Sequence, residues 1–460
     1  VLFVGGLTLN VSAVVVANPQ GGNVVGGSAT IVQTTPKRLD ILQSTDKAVI
    51  DWQTFNISAD EHTNFQQPSG SSITLNRVIG GELSTISGRL TANGSIFLVN
   101  QSGIFFGGGA QVDVHSLVAT TADIGNANFL AGQFDFTIAS PDLNAMVINQ
   151  GGITIGEQGL AALVAPGVEN SGVIAARLGS VTLAGVKIFT VDLYGNGPLQ
   201  FPIGSAVTQT PRDENGETPE ALVTNDGQIL ADGGSVLLTA RAADGVLDNV
   251  INMGGVIEAR AATMQGGVIV LSGGDSGIVA VAGRLDASGK GAGQSGGTVR
   301  VLGEYVGLYD GALIDASGDA GGGTALIGGN YKGQGPEPNA KVTYVDGGAT
   351  INADAITSGD GGTVIVWSDE TSRIHGSISA RGGSVSGDGG LVETSSKGYL
   401  DVTNAPDIGA GTGSGGRWLI DPTNINITGA TSNTANVSGV FQSDADAVST
   451  INVATLVAAI

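Results

Sequence analysis

The chain has no cysteine, which excludes disulfides and thiol redox chemistry. Aromatic residues make up 5% and charged residues 13% of the 460 residues, so the bulky groups that usually fill a globular core are scarce. Positive charge is scarcer still, with 19 Lys and Arg against 41 Asp and Glu and a net charge of −22. Nucleic-acid binding needs clustered cations to displace phosphate counterions, and none cluster here; Lys37-Arg38 is a lone basic pair that reads as surface charge. Anionic membrane surfaces are disfavoured for the same reason. The three histidines, His62, His115 and His375, lie far apart and show no metal-ligand spacing. No amphipathic run of helical period and length stands out between Val24 and Thr403.

What is present is glycine, 76 of it, and small aliphatic residues that lift the mean hydropathy to +0.22. Val, Ile, Leu and Ala read with period 2 and are punctuated by Gly, Asn and Asp, which fits a stack of narrow coils rather than a disordered chain. The coils have a beat. Ala231, Ala259, Ala287, Ala316, Ala353 and Ala380 follow one another at 28, 28, 29, 37 and 27 residues, and a period of that size marks a solenoid. Two positions before each alanine stands an aliphatic residue, Ile229, Ile257, Leu285, Ile314, Ile351 or Ile378, so both point inward from one strand face. A glycine pair and a second strand follow, as in Gly296-Gly297-Thr298-Val299-Arg300-Val301 and Gly361-Gly362-Thr363-Val364-Ile365-Val366. The predicted unit is therefore strand, turn, strand, turn. The 37-residue interval holds an extra Gly- and Pro-rich loop, Tyr331 to Asn339, expected on the outside. At about 4.8 Å per coil, some 14 to 17 coils would form an all-β rod roughly 70 to 80 Å long.

Texture divides the chain into segments. Residues 1–17 are small and apolar, with cleavage options after Ala13 and Ala17, and read as the end of a signal peptide, too short to span a membrane as a helix; the alternative is a first buried strand. Residues 18–205 are the less periodic part, 206–221 a polar loop, 222–403 the regular array and 404–416 a flexible Gly, Ala, Ser and Thr linker. Trp418-Leu419-Ile420-Asp421-Pro422 opens a further module over 417–460, which reads as truncated.

Several residues invite chemistry. Leu230, Glu258, Asp286, Asp315, Asn352 and Ser379 precede the alanine beat and are expected to stack as an outward column. Glu258, Asp286 and Asp315 are weak candidates to bind Ca²⁺ or to act as a glycosidase pair, against the simpler reading of a solvated face, because no aromatic platform or second polar column accompanies them. The expectation is no metal, no cofactor and no enzyme. Gly411-Thr412-Gly413-Ser414-Gly415-Gly416 lacks the strand and helix that a dinucleotide fingerprint requires. Trp52, Trp367 and Trp418 read as packing groups rather than sugar-stacking ones. Asn56, Asn93, Asn100, Asn426 and Asn436 lie in Asn-X-Ser/Thr sequons of the kind turn-rich sequence produces by chance. Apolar residues on both faces of second strands, as in Val236-Leu237-Leu238, predict either an adhesive, self-associating face or one covered by extra elements.

The stretch Val99-Asn100-Gln101-Ser102-Gly103-Ile104-Phe105-Phe106-Gly107 is followed by Gly109-Ala110-Gln111-Val112-Asp113-Val114 and Leu117-Val118-Ala119-Thr120-Thr121. Upstream stand Gly27-Ser28-Ala29-Thr30-Ile31, Ile50-Asp51-Trp52-Gln53-Thr54-Phe55-Asn56-Ile57, Phe65-Gln66-Gln67-Pro68 and Leu75-Asn76-Arg77-Val78. In order and crowding these pieces resemble the secretion domain of two-partner secretion exoproteins, the filamentous-haemagglutinin-like adhesins. Gln101 and Ser102 replace Pro and the second Asn of that family's Asn-Pro-Asn-Gly-Ile, and Ser140-Pro141-Asp142-Leu143 stands for its Asn-Pro-Asn-Leu. Both departures keep turn-forming residues.

The resemblance implies a right-handed parallel β-helix with an N-terminal cap, exported by a signal peptide and then by a dedicated outer-membrane β-barrel transporter with periplasmic recognition domains. It implies transporter recognition at Asn100, Gln101, Ser102, Gly103, Ile104, Ser140, Pro141, Asp142 and Leu143. The expected product is a secreted adhesin or structural exoprotein at the cell surface of a Gram-negative-type bacterium, with a host or neighbouring-cell ligand and possible self-association into fibres. The absence of cysteine suits a chain that crosses an oxidising compartment unfolded. The alternatives are an extracellular polysaccharide-acting β-helix enzyme using Glu258, Asp286 and Asp315, and the secretion and shaft part of a larger toxin.

Overall fold

The computed structural model describes residues 18–192, 199–202, 204–212, 217–243, 246–262 and 266–421, and the backbone alone of 425–428 and 449–452. The expected leader, 1–17, and the sequon at Asn436 lie outside the described residues.

The chain winds into a parallel β-helix. Its described strands form three long sheets, which we call the first, second and third faces, of fourteen, eleven and thirteen strands. One coil runs Thr298–Leu302 on the first face, Tyr305–Leu308 on the second and Leu313–Asp315 on the third, then returns to the first at Thr324–Ile327. The predicted two-strand unit is thus corrected to three. The strands of the second face are short, and neither an alanine nor a glycine pair announces them in sequence.

The alanine beat is the corner after the third face. All six alanines are 0% exposed, and the aliphatic residues before them fill the interior of the rod. Each alanine N–H donates to the next coil, as Ala259 to the Asp286 carbonyl and Ala287 to the Asp315 carbonyl, both at 2.8 Å, so the ladder continues round the bend. The glycine pair then folds back: Gly297 donates to the Ala287 carbonyl at 2.7 Å, and a Cβ on Gly297 would collide with the Gly267 carbonyl. The pair is there for close approach of backbones.

Residues 404–416, expected as a flexible linker, instead form turns of another coil. Ile408 enters the core, Asp407 bridges Ser379, and Gly382 donates to the Gly409 carbonyl. Arg417–Leu419 then adds the last described strand of the first face. At the other end, Asn23–Gly26 and Ala29–Thr35 pair antiparallel with Lys47–Trp52 and Arg38–Gln43, which caps the N-terminal parallel edges of the first and third faces.

The outward residues of the first face are covered at two places. An unexpected six-residue helix, Asn126–Ala131, and an antiparallel sheet of Phe134–Phe136, Phe189–Val191 and Leu199–Gln200 lie over Val49, Leu75, Phe97, Val118 and Leu160. Phe136 and Phe189 stack there with centroids 4.7 Å apart. Further along, Tyr331, at the start of the predicted outer loop, packs on Leu326, Ile365 and Trp367. Glu393, 0% exposed in the same outward column, accepts the Lys332 N–H at 3.0 Å. Burial pushes its carboxyl above the ordinary range. Trp52 donates to Asn76 and Trp367 to Asp369, so these tryptophans are packing groups.

Two outcomes follow from this packing. Replacing Ala287 by Leu should overpack the corner and cost about 1–3 kcal/mol, read as faster amide exchange across residues 284–302. For Glu393, a folded pKa above the unfolded one means that stability is greatest below the unfolded value and is lost as pH rises through the folded one. Protection of the 331–339 loop, corrected for intrinsic exchange, should therefore fall as pH rises above the ordinary carboxyl range, and Glu393→Gln should flatten that trend.

Candidate partner-recognition corner

The first face strand Ser95–Asn100 ends in a turn that the sequence dictates residue by residue. Asn100 is 1% exposed; its Oδ1 accepts the Ser102 N–H at 2.9 Å, and its carbonyl accepts the Gly103 N–H at 3.0 Å. Its Nδ2 donates to the Glu82 carbonyl at 2.8 Å and to Ser84 Oγ at 2.9 Å, tying the turn to the coil below. Gly103 sits at φ +104°, in a region that L side chains rarely adopt, and the chain proceeds into Ile104–Phe106. An aspartate could not make both donations, which is why the strand ends on an amide.

One coil later the second motif makes a turn of the same kind. Ser140 Oγ accepts the Asp142 N–H at 3.0 Å, Asp142 Oδ1 accepts the Asn144 N–H at 2.9 Å, and Met146–Asn149 follows. Strands 104–106 and 146–149 are parallel neighbours in register, Ile104 opposite Val147, so the two turns share a corner of the rod. They also bond directly. Ser140 Oγ donates to the Gln101 carbonyl at 2.5 Å, and Gln101 Nε2 donates to the Ala139 carbonyl at 3.4 Å.

The motif residues divide by exposure. Asn100, Gly103, Ile104 and Ser140 are buried and hold the corner, whereas Pro141 and Asp142 are exposed and Gln101, Ser102 and Leu143 are half-buried. Between the two turns opens a cavity of about 270 Å³ whose lining includes Ser102, Ile104 and Asp142 from the motifs. It also includes Phe105 from the first motif stretch, and Leu83, Met146, Ile148 and Arg212, which sequence reading did not assign to a site. Leu83 is 39% exposed, an apolar side chain at a polar rim. Arg212 comes from the loop after residue 205, and nothing in the local sequence ties it to this corner.

The upstream motifs act as braces. Arg77 donates to Asp123 at 2.8 Å, Asp51 at 3.0 Å and Asn126 at 2.8 Å, joining the cap to the helix that covers the first face.

The carboxylate column is in register, Glu258 opposite Asp286 and Asp286 opposite Asp315, but the expectation that it is solvated is overturned. Asp286 is 1% and Asp315 5% exposed. Asp286 accepts from the Ser288 N–H at 2.9 Å and from Arg284 at 2.5 Å; Asp315 accepts from Ser317 at 2.6 Å and Lys290 at 2.7 Å; Glu258 pairs with Arg260 at 2.9 Å. Burial pushes Asp286 up, but the bonds from Ser288 and Arg284 outweigh it and hold the carboxyl below its ordinary range. A glycosidase acid needs the opposite shift. Among the described residues, no group of three or more His, Cys, Asp or Glu is placed to hold a metal ion.

The model of the TPS secretion domain family matches residues 15–301, more than half of the chain. The heme/hemopexin-binding protein of Haemophilus influenzae is 29% identical over 270 residues, 55% of this chain and 28% of the relative; that of strain ATCC 51907 is 30% identical over 274 residues, 27% of its length. The chain thus spans under a third of the curated relatives it matches. The crystal structure of the HMW1 secretion domain from Haemophilus influenzae superposes with a TM-score of 0.70 at 30% identity, covering 88% of this chain and all of that one.

Truncating Asn100 to Ala strands the Ser102 N–H and removes both donations from Nδ2. The corner should open about 2 kcal/mol more easily, seen as faster amide exchange at Ser102 and Ser84, while the coils beyond Leu222 keep their protection.

Proposed function

The chain belongs to the TPS secretion domain family, and from that membership we propose that the corner built by Asn100–Ile104 and Ser140–Leu143 is where its outer-membrane transporter recognises it. The family is a secretion domain of exoproteins, and such exoproteins are secreted by Gram-negative bacteria to the extracellular space or cell surface. The observation that carries the proposal is the union of two motifs, separated in sequence, around one cavity. The buried members set the shape, and the partner's periplasmic domain reads Gln101, Ser102, Pro141 and Asp142 and seats an apolar side chain between Leu83 and Phe105. A cavity with an apolar floor and a few polar groups at its rim is the form such an anchor needs.

The exported product is, in this reading, a surface adhesin or structural exoprotein whose rod carries binding surfaces away from the cell. The carboxylates of Asp286 and Asp315, paired with Arg284 and Lys290, and of Glu258, which shares Arg260 with Asp232, are all engaged by cations, and this argues against the polysaccharide-acting alternative. A second reading takes its support from the curated relatives, the two heme/hemopexin-binding proteins, and makes the ligand a haem-carrying protein.

Release of this chain, given a complete signal peptide, should depend on the co-expressed transporter. Leu83→Asp and Phe105→Ser should each lower release several-fold without changing the melting of the purified protein, and Tyr309→Ala, beside a strand six places further along the same face, should leave it intact. Release that ignores the transporter, or rim variants exported like wild type, would remove the proposal.

A further inference from the structure

The outward side of the second face carries a ladder of aromatic rings that export does not use. Tyr305 and Tyr309 are 38% and 44% exposed, and Tyr344, His375 and Tyr399 on the next three coils are half-buried. Gly307, not Tyr309, is the residue in register with Tyr344, and its missing side chain is what lets the Tyr309 ring fold back over the strand. The Tyr309 and Tyr344 centroids then lie 6.1 Å apart, and Tyr344 meets His375 at 6.1 Å edge to face. Arg373 lies over the Tyr399 ring at 5.8 Å. The ladder rises one coil at a time over roughly 14 Å along the rod. At its lower end, beside Tyr305, opens a cleft of about 450 Å³ floored by Leu247 and Ile278 and edged by Asp248 and Glu304.

Polar groups flank the rings. Tyr344 donates its hydroxyl to Asp346 at 2.7 Å, and His375 bonds Asp401 at 3.1 Å. Asp401 is 5% exposed, and its second oxygen, Oδ1, is buried with no hydrogen bond, an acceptor without its donor.

We propose that this strip, from the Tyr305 cleft to Tyr399, binds a neutral glycan chain. Rings set one coil apart, tilted so that each offers part of a face or an edge to the outside, give successive apolar contacts for the C–H faces of linked sugar rings, and the flanking carboxylate of Asp346 accepts sugar hydroxyls. Four carboxylates, Asp346, Asp401, Asp248 and Glu304, outnumber the two cations of the strip, Arg373 and the Lys341 paired with Glu304, and within a net charge of −22 they turn away sulfated or phosphorylated chains. A protein partner would instead want a continuous apolar centre with charge at its margin, and here Arg373 and Asp401 stand in register with Tyr344 within the strip itself. The proposal concerns the folded rod and is independent of how the chain is exported.

The test uses the purified 460-residue chain and an array of immobilised neutral oligosaccharides, with β-glucan, mannan, galactan and chito-oligosaccharide series alongside heparin. Retention on at least one neutral series and not on heparin is expected. Tyr309→Ala combined with Tyr344→Ala should weaken it about tenfold or more. Gly307→Ala should also weaken it, because the added methyl would lie 2.7 Å from the Tyr309 ring and displace it while every polar group stays. Circular dichroism and melting of each variant separate loss of binding from loss of fold. The proposal is overturned if no neutral series is retained, if heparin alone is, if folded variants bind like wild type, or if the variants change only self-association of the rod.

Discussion

Everything in this rod depends on one spacing, the distance at which backbone hydrogen bonds hold successive coils. Because each coil is bonded to the next across three faces and around the corner between them, nothing larger than a methyl fits at the bend. That is why alanine recurs there, and why a glycine pair follows it. Where the spacing is kept, the aliphatic residues two positions upstream stack into a continuous interior, and each coil contributes stability only through its neighbours.

A parallel stack creates two liabilities, open ends and outward apolar residues. At the N-terminal end the antiparallel cap deals with the first on two of the faces, where its strands cover the parallel edge, while the remaining face ends at Ser84–Ile86 with a single bridge to Ile57. The second is handled by separate covers, a helix with a small phenylalanine-rich sheet near the cap and the outer loop near Trp367. Between the covers Leu237 and Val270 remain half-buried on the first face. The two readings of the outward apolar residues therefore resolve position by position: cover accounts for Phe97 and Ile365, not for the whole face.

The same spacing places function. Turns that fall at the same corner of consecutive coils are brought together whatever their separation in sequence, and so Ser140 comes to bond the carbonyl of Gln101. Export and ligand binding, as proposed, occupy different coils of the rod, the corner near the cap for the one and the coils from Tyr305 on for the other, so a surface can vary along the rod without disturbing that corner.

Sequence alone determined the class of the fold, the family resemblance and the position of the inner corner, because a repeating steric demand leaves a repeating residue: Ala259, Ala287 and Ala316 announce themselves. It also marked both motif turns, since Asn100, Gly103, Ser140 and Asp142 are residues that specific turns require. It did not reveal the third strand of each coil, the coil within 404–416 or the burial of Asp286 and Asp315. Those depend on which cation or neighbouring coil lies across the gap, and Arg284 and Lys290 carry no pattern that says so. Nor could it place Leu83 and Arg212 at one cavity, or Tyr309 beside Tyr344. Those pairings join residues that share only an axial position on the rod, and the winding of the backbone, not local propensity, decides which residues share one.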